Sequence, residues 1–264
     1  MAETDEERAK RYAELEASYP TLTAEEYTRR SRRSVLTGGA AALAGLAGWR
    51  WIQNSPEDRN IPAPLRDVHE ANEALWRALH RDNHLAPTFD SSRSSMMRVN
   101  GRRGIDNEID LASWSMSVRD EGEEIRTHTM DAVLELPKQE MTVEHKCVEG
   151  WSHIVTWGGV RFSDFLEAHH PDKLASPTEF VSLETPDRGF YVGIDWASML
   201  HPQTLLAYEL QGEALDQDHG APLRLVTPLK YGIKQLKRIG VIEFTNTQPA
   251  DFWGERGYDW YAGL

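Results

Sequence analysis

Cys147 is the only cysteine in a chain of 264 residues. That single count removes two ways of holding a protein together. No internal disulfide can form, and no set of thiolates is available for a structural zinc or iron–sulfur site. The fold must rest on its hydrophobic core, and apolar residues make up 40% of the chain, enough for one sizeable domain plus a tail. The cysteine ends a run with strand alternation, Met141, Val143 and His145 against Thr142, Glu144 and Lys146. Beyond it the chain is expected to turn at Gly150, pass Trp151 and Trp157, and turn again at Gly158-Gly159. Two readings of Cys147 follow from its chemistry. It is a small buried hydrophobe, the commonest fate of a free cysteine, or it is the single thiolate ligand of a soft metal carried by an organic cofactor.

The formal net charge of −13 argues against nucleic acid or an anionic membrane surface as the main partner. An anionic cofactor would need a local basic cluster working against that field. Residues 1–30 are rich in charge and read as a solvated arm. Ser31-Arg32-Arg33-Ser34-Val35-Leu36 precedes an uncharged run of Gly, Ala and Leu up to Trp49, the pattern of a twin-arginine export signal, and predicts a periplasmic or exported protein. The bland alternative is a charged helix followed by a Gly/Ala linker. The run is too short for an ordinary span, which needs about 20 residues. No small-x-small site precedes Trp49-Arg50-Trp51, so residues 31–51 are read as a signal or a retained anchor. Residues 52–64, with Pro56, Pro62 and Pro64, read as a linker, and 65–264 as the folded domain.

Within that domain, Val68, Ala71, Leu75, Ala78 and Leu79 recur at helical spacing over Arg66 to Arg81. Met97, Val99 and Asn100-Gly101 predict a hairpin. Trp114, Met116 and Val118 alternate with serines as a half-buried strand. Thr129 is expected to cap a helix over 130–136, Ser163 one over 164–169, and Asp195 a third. Strands are expected over 179–184, 190–194, 205–210 and 241–246, and His169-His170 as an exposed helix end. Short strands interleaved with short helices predict an α+β fold.

Two blocks carry a family resemblance. Cys147-Val148-Glu149-Gly150-Trp151-Ser152, followed by Trp157-Gly158-Gly159 and a segment with Phe162, Phe165 and Leu166, resembles the molybdenum-ligand segment of the sulfite oxidase family. The resemblance is to the branch of bacterial periplasmic molybdopterin enzymes that includes the protein-methionine-sulfoxide reductase catalytic subunit. His219-Gly220-Ala221-Pro222-Leu223-Arg224 and Lys230-Tyr231-Gly232-Ile233-Lys234-Gln235-Leu236-Lys237 resemble that family's cofactor-phosphate segment. The resemblance covers roughly residues 80 to 260 and implies the sulfite-oxidase-type molybdopterin-binding fold, with mixed sheets, short helices and a single domain.

It implies a molybdenum-molybdopterin cofactor with Cys147 as metal ligand and catalytic residue. Arg224, Lys230, Lys234, Lys237 and Arg238 place five cations in fifteen residues of an acidic chain, where a phosphate demands cations and aimed N–H groups. The resemblance assigns His219, Arg224, Lys234, Gln235, Leu236 and Lys237 to the cofactor. It adds Thr185, Asn83 and His84 as cofactor contacts, and Tyr191 as a catalytic residue lining the substrate pocket. Each has a plainer reading: a solvated charge run, a surface histidine, a strand-end cap, a core tyrosine.

The departures bear on substrate. Asp82 stands where sulfite oxidases proper carry an arginine for the anionic substrate, and a carboxylate there would repel sulfite. Leu229 replaces a tryptophan usual in the reductase branch, so the substrate need not be methionine sulfoxide. There is no Cys-x-x-Cys-His haem motif, and the family's C-terminal dimerisation domain is expected to be absent. Electrons then pass through a separate partner, such as a membrane haem or quinone-linked protein. The expectation is an oxidoreductase performing oxygen-atom transfer on a small molecule, with S-oxide or N-oxide reduction preferred. The alternatives are a sulfite-type dehydrogenase and a catalytically silent cofactor-fold binding protein.

Overall fold

The computed structural model describes residues 4–18, 22–81, 83–106 and 108–264. It divides into two compact units, one ending at Ser55 and one spanning Pro56–Leu264. The first holds α1 (Asp5–Ser18) and α2 (Ala24–Asn54). Thr23 opens α2 with a reciprocal capping box to Glu26, which satisfies two of the N–H groups a helix start leaves orphaned. The helix continues through Gly38, Gly39, Gly45 and Gly48, where Ala and Leu between them favour it. Arg32 and Arg33 are both exposed on it. Among the described residues no helix is long and apolar enough to cross a membrane.

The second unit opens with a small hairpin, β1 (Glu57–Asp58) and β2 (Ile61–Pro62), then α3 (Ala63–Leu79). Positions read as linker therefore carry α2's end, this hairpin and the first turn of α3. Pro64 sits in that first turn, where a missing N–H costs nothing. Arg66, 2% exposed, donates to the carbonyls of Tyr258, Gly254 and Arg59 at 2.9, 3.0 and 3.2 Å, tying α3 to the chain's end.

The rest is α+β, with two five-stranded sheets, one antiparallel and one mixed through the parallel pairing of its third and twelfth strands, and short helices. The strands are β3 (Ser115–Asp120), β4 (Glu123–Thr129), β5 (Gln139–Lys146), β6 (Ser152–Arg161), β7 (Phe180–Glu184), β8 (Tyr191–Asp195), β9 (Leu205–Leu210), β10 (Glu213–Ala214), β11 (Arg224–Val226) and β12 (Val241–Thr245). One sheet runs β10-β9-β6-β5, with β11 also on β9; the other runs β4-β3-β12-β7-β8. The helices are α4 (Met130–Leu134), α5 (Phe162–His169), α6 (Pro171–Ala175) and α7 (Trp196–Leu200). The main core joins Met116, Val118, Leu183 and Ile242 to Val160, Phe162, Phe165 and Leu206. Val143, Val155, Trp157, Leu205 and Ala207 form a second cluster. Leu206 thus faces one cluster and its neighbours the other, so β9 is buried on both faces.

Several local expectations fail for physical reasons. Gly158-Gly159 is no turn: both lie inside β6, where the pairing with β9 shifts register between them. A Cβ at Gly159 would sit 2.3 Å from the Leu206 carbonyl oxygen, so the glycine serves close backbone approach. Met97 to Gly101 is an irregular loop without strand pairing. Thr129 and Ser163 make no side-chain cap; α5 starts two residues earlier than expected, with Arg161 at its cap position. Asp195 does cap α7, its carboxylate accepting from the Ser198 N–H at 3.0 Å. His170 is buried, and its Nε2 lies 2.9 Å from that of His128. Strand β4 had no clear signal, because its side chains alternate between polar types and mostly face solvent.

Candidate functional site

The end of β5 delivers Cys147 to a cleft of about 420 Å³, walled by residues 97–103, the turn after the cysteine, and the 232–237 segment. Cys147 donates its N–H to the Trp151 carbonyl at 2.9 Å and accepts from the Gly150 N–H at 3.1 Å. Gly150 holds φ +86°, a conformation other residues adopt only under strain. The cysteine is 8% exposed and lines the cleft, with Asn100 Nδ2 3.9 Å from its sulfur. Burial pushes the thiol pKa up. A free thiol here stays protonated, and a bound soft metal is what would hold it as thiolate.

Arg224 is the cationic floor. It sits on β11, 2% exposed, with its guanidinium 4.7 Å over the Trp157 ring. It donates to the carbonyls of His219 at 3.0 Å and Gln235 at 3.2 Å, while its buried Nε has no partner among the described residues. Burial lowers its pKa to about 10, which leaves it charged at neutral pH. Lys237 donates to the Asp218 carbonyl at 2.9 Å, and burial followed by the Arg224 charge lowers it to about 8. Among the described residues neither cation has a carboxylate ion-pair partner. A buried guanidinium and a half-buried ammonium without an anion are costly, and their position beside a cleft is a demand for an anionic ligand.

His145 stands two residues before Cys147 and also lines the cleft. Its Nδ1 lies 3.1 Å from Gln235 Oε1. Desolvation first, then the Arg224 charge, lowers it to about 3, so the ring is neutral. Sequence reasoning missed this residue, although strand alternation places it on the face of Cys147. It also missed Arg98, Arg102 and Arg103, three arginines in six residues, and the aromatic walls Phe190, Trp253 and Tyr258. The arginine cluster was visible as a charge anomaly; the aromatic residues, from separate loops, carried no local signal.

Of the residues singled out from sequence, Cys147, His219, Arg224, Gln235 and Lys237 line one cleft. His219 is buried, with Nδ1 2.8 Å from Asp216 and Nε2 3.0 Å from the Met97 carbonyl, so its ring braces the 97–103 loop. Lys234 points the other way, 2.6 Å from Asp251 and 4.5 Å over the Trp260 ring. Leu236 is fully buried in the main core. After the 3-10 turn over Gly232–Lys234 the side chains alternate, 235 and 237 lining the cleft and 234 and 236 turned inward. Tyr191 does not line the cleft; its hydroxyl donates to Glu255, and Phe190 takes the wall position instead. Thr185 is fully buried, donating to Asp187 at 2.6 Å and accepting from the Phe190 N–H at 3.1 Å, which fixes the loop that carries Phe190. Asn83 and His84 are exposed in the turn after α3 and do not line the cleft. Asp82 lies outside the described residues.

The family model described as oxidoreductase molybdopterin binding domain matches residues 103–253. A candidate protein-methionine-sulfoxide reductase subunit, YedZ1, of Azospira oryzae is 32% identical over 88% of this chain and 86% of its own length. The protein-methionine-sulfoxide reductase catalytic subunit MsrP of Burkholderia mallei is 32% identical over 84% of this chain and 71% of its own. MsrP of Campylobacter jejuni is 33% identical over 58% of this chain, which spans 57% of that relative's length. The cleft fits the cofactor of this family. Cys147 offers one sulfur to a metal, and Arg224, with its orphaned Nε, and Lys237 would hold a phosphate. The chain belongs to the family of the oxidoreductase molybdopterin binding domain, that of the sulfite oxidases.

Proposed function

We propose that this chain is the catalytic subunit of an exported reductase that removes the oxygen atom from a small S-oxide. The observation that carries this reading is the placement of Cys147 at the base of a cleft whose wall mixes cations with aromatic rings. Arg98 lies 4.9 Å over Trp151, and Arg103 4.7 Å over Phe252. Guanidinium N–H groups suit a sulfoxide oxygen, and the rings suit the apolar carbons on its sulfur. The names of the relatives, protein-methionine-sulfoxide reductase subunits, support the same substrate class. The reaction consumes two electrons and two protons, and yields a thioether and water. The bound molybdopterin group supplies the oxygen-accepting, two-electron chemistry. This chain's residues hold that group, orient the substrate and limit water. Electrons come from a separate partner, of the membrane haem or quinone-linked kind. Export rests on Arg32 and Arg33 ahead of the apolar half of α2.

A second reading is sulfite oxidation, favoured by Arg98, Arg102 and Arg103, which would attract an anion. One experiment separates the readings. The full chain is purified from a host that makes molybdopterin, and molybdenum and pterin are quantified. Reduction of methionine sulfoxide, simpler sulfoxides and an N-oxide by a reduced viologen dye is then measured beside sulfite oxidation by ferricyanide. Sulfoxide turnover by loaded protein is the expected result. Turnover of sulfite alone establishes the second reading, and wild-type protein without metal or pterin establishes a binding protein instead. Loss of export when Arg32 and Arg33 both become Lys tests the location.

A further inference from the structure

Five cations line the cleft, Arg98, Arg102, Arg103, Arg224 and Lys237, against one carboxylate, Glu149, in a chain whose formal net charge is −13. That carboxylate already accepts from the Trp151 indole N–H at 2.9 Å. Arg224 and Lys237 are provided for by the cofactor phosphate. The three arginines of the 97–103 loop are left over, and one phosphate does not answer them. Arg102 has acidic neighbours at long range, Asp106 at 3.9 Å and Asp218 at 3.8 Å. Arg98 and Arg103 make no ion pair or hydrogen bond among the described residues, and each lies over an aromatic ring, Trp151 and Phe252 respectively. A ring steadies a guanidinium but offers its N–H fork no oxygen to bind.

Position assigns Arg98 to the metal end of the cleft. The Trp151 carbonyl accepts the Cys147 N–H at 2.9 Å, so the ring under Arg98 belongs to the turn that holds the sulfur. Asn100, two residues along the loop, brings Nδ2 within 3.9 Å of that sulfur. The arginine loop is therefore the wall beside the reacting end. Phe190, Trp253 and Tyr258 wall the same cleft, and a bare inorganic anion has no carbon to set against them. An organic anion uses both features. We infer that Arg98 is a specificity-determining residue, selecting S-oxides that carry a carboxylate on their carbon frame. This inference rests on the reductase reading and narrows its substrate class.

The test compares N-acetylmethionine sulfoxide, an anion, with its methylamide, which has the same sulfoxide and no charge. Both are reduced by a viologen dye with full-length protein loaded in a molybdopterin-making host. Wild type is expected to favour the anion about fivefold in kcat/KM, mostly through KM, the reach of one exposed ion pair. Added salt is expected to erode that ratio, since exposed charges are screened. In Arg98→Gln the ratio is expected to fall towards one, and Arg98→Lys, which keeps the charge, is expected to retain most of it. The ratio cancels any change that a substitution makes to both substrates alike. Equal kcat/KM for the two sulfoxides in wild type, or a ratio unmoved in Arg98→Gln, overturns the inference and leaves the reductase reading standing. Loss of pterin from Arg98→Gln under conditions that load wild type assigns the arginine to the cofactor, and also overturns it. Loaded wild type that reduces neither sulfoxide refutes the reductase reading itself, and the inference with it.

Discussion

Lys234 Nζ and Asp251 Oδ2 lie 2.6 Å apart, and each side chain is 1% exposed. The lysine also donates to the Gly193 carbonyl at 2.8 Å, so a residue in the middle of the cofactor-like motif is spent on joining the 3-10 turn to the C-terminal segment. Breaking such a pair leaves a buried charge alone. Lys234→Met is expected to destabilise the protein by about 3–5 kcal/mol, measured by urea unfolding. The double variant with Asp251→Leu is expected to recover part of that loss. A Lys234→Met protein of native stability that has lost only its pterin would show that the lysine serves the cofactor instead.

Among the described residues the Cys147 sulfur has one hydrogen-bonding neighbour, Asn100 Nδ2 at 3.9 Å. Cys147→Ser is therefore expected to keep the wild-type melting temperature within about the range of a neutral surface change, while sulfoxide turnover falls below detection. Retained turnover would remove Cys147 as the metal ligand.

Arg224 is buried with an orphaned Nε beside the cleft. Arg224→Met keeps most of its volume and removes the charge. Loss of a charge-assisted bond predicts about 10–100-fold weaker retention of the pterin, read as metal and pterin per chain after dialysis. The variant's apoprotein is expected to be no less stable than wild-type apoprotein, because it no longer buries an unpaired cation.

Gly159 has no room for a side chain, with the Leu206 carbonyl oxygen 2.3 Å from any Cβ. Gly159→Ala is expected to cost about 3 kcal/mol through forced separation of β6 from β9. Thermal unfolding measures it; an unchanged melting temperature would mean the strands separate freely.

Burial first, then neighbouring cations, lowers both His128 and His170 from 6.5 to about 4. The unfolded chain then binds more protons than the folded one between those values, so stability falls as pH drops from about 6.5 towards 4. Melting temperature is expected to decline across that window. His128→Leu removes one of the two groups, and its decline is expected to be shallower. Equal slopes in variant and wild type would assign the acid sensitivity elsewhere.

What the sequence determined by itself follows from local rules. Alternation at Met116 and Val118, at 205–210 and at 241–245 marks strands because one side of each must leave water. The lone Cys147 and the cations after Arg224 are legible because a single thiol and a basic run in an acidic chain are chemically conspicuous. Tertiary structure alone decided which members of those runs face the cleft. Lys234 and Leu236 turn inward while Gln235 and Lys237 line the cleft, and no composition signals that choice. It decided too that Gly158-Gly159 crosses another strand closely where a turn was expected, since glycine permits both. Phe190, Trp253 and Tyr258 meet Cys147 only through the folding of distant loops, while Asn83, His84 and Tyr191 lie away from it. The physical reason is common to all of these. Backbone preference and hydrophobic period act over a few residues, but a cleft is assembled from segments a hundred residues apart, whose facing is fixed by packing and buried charge.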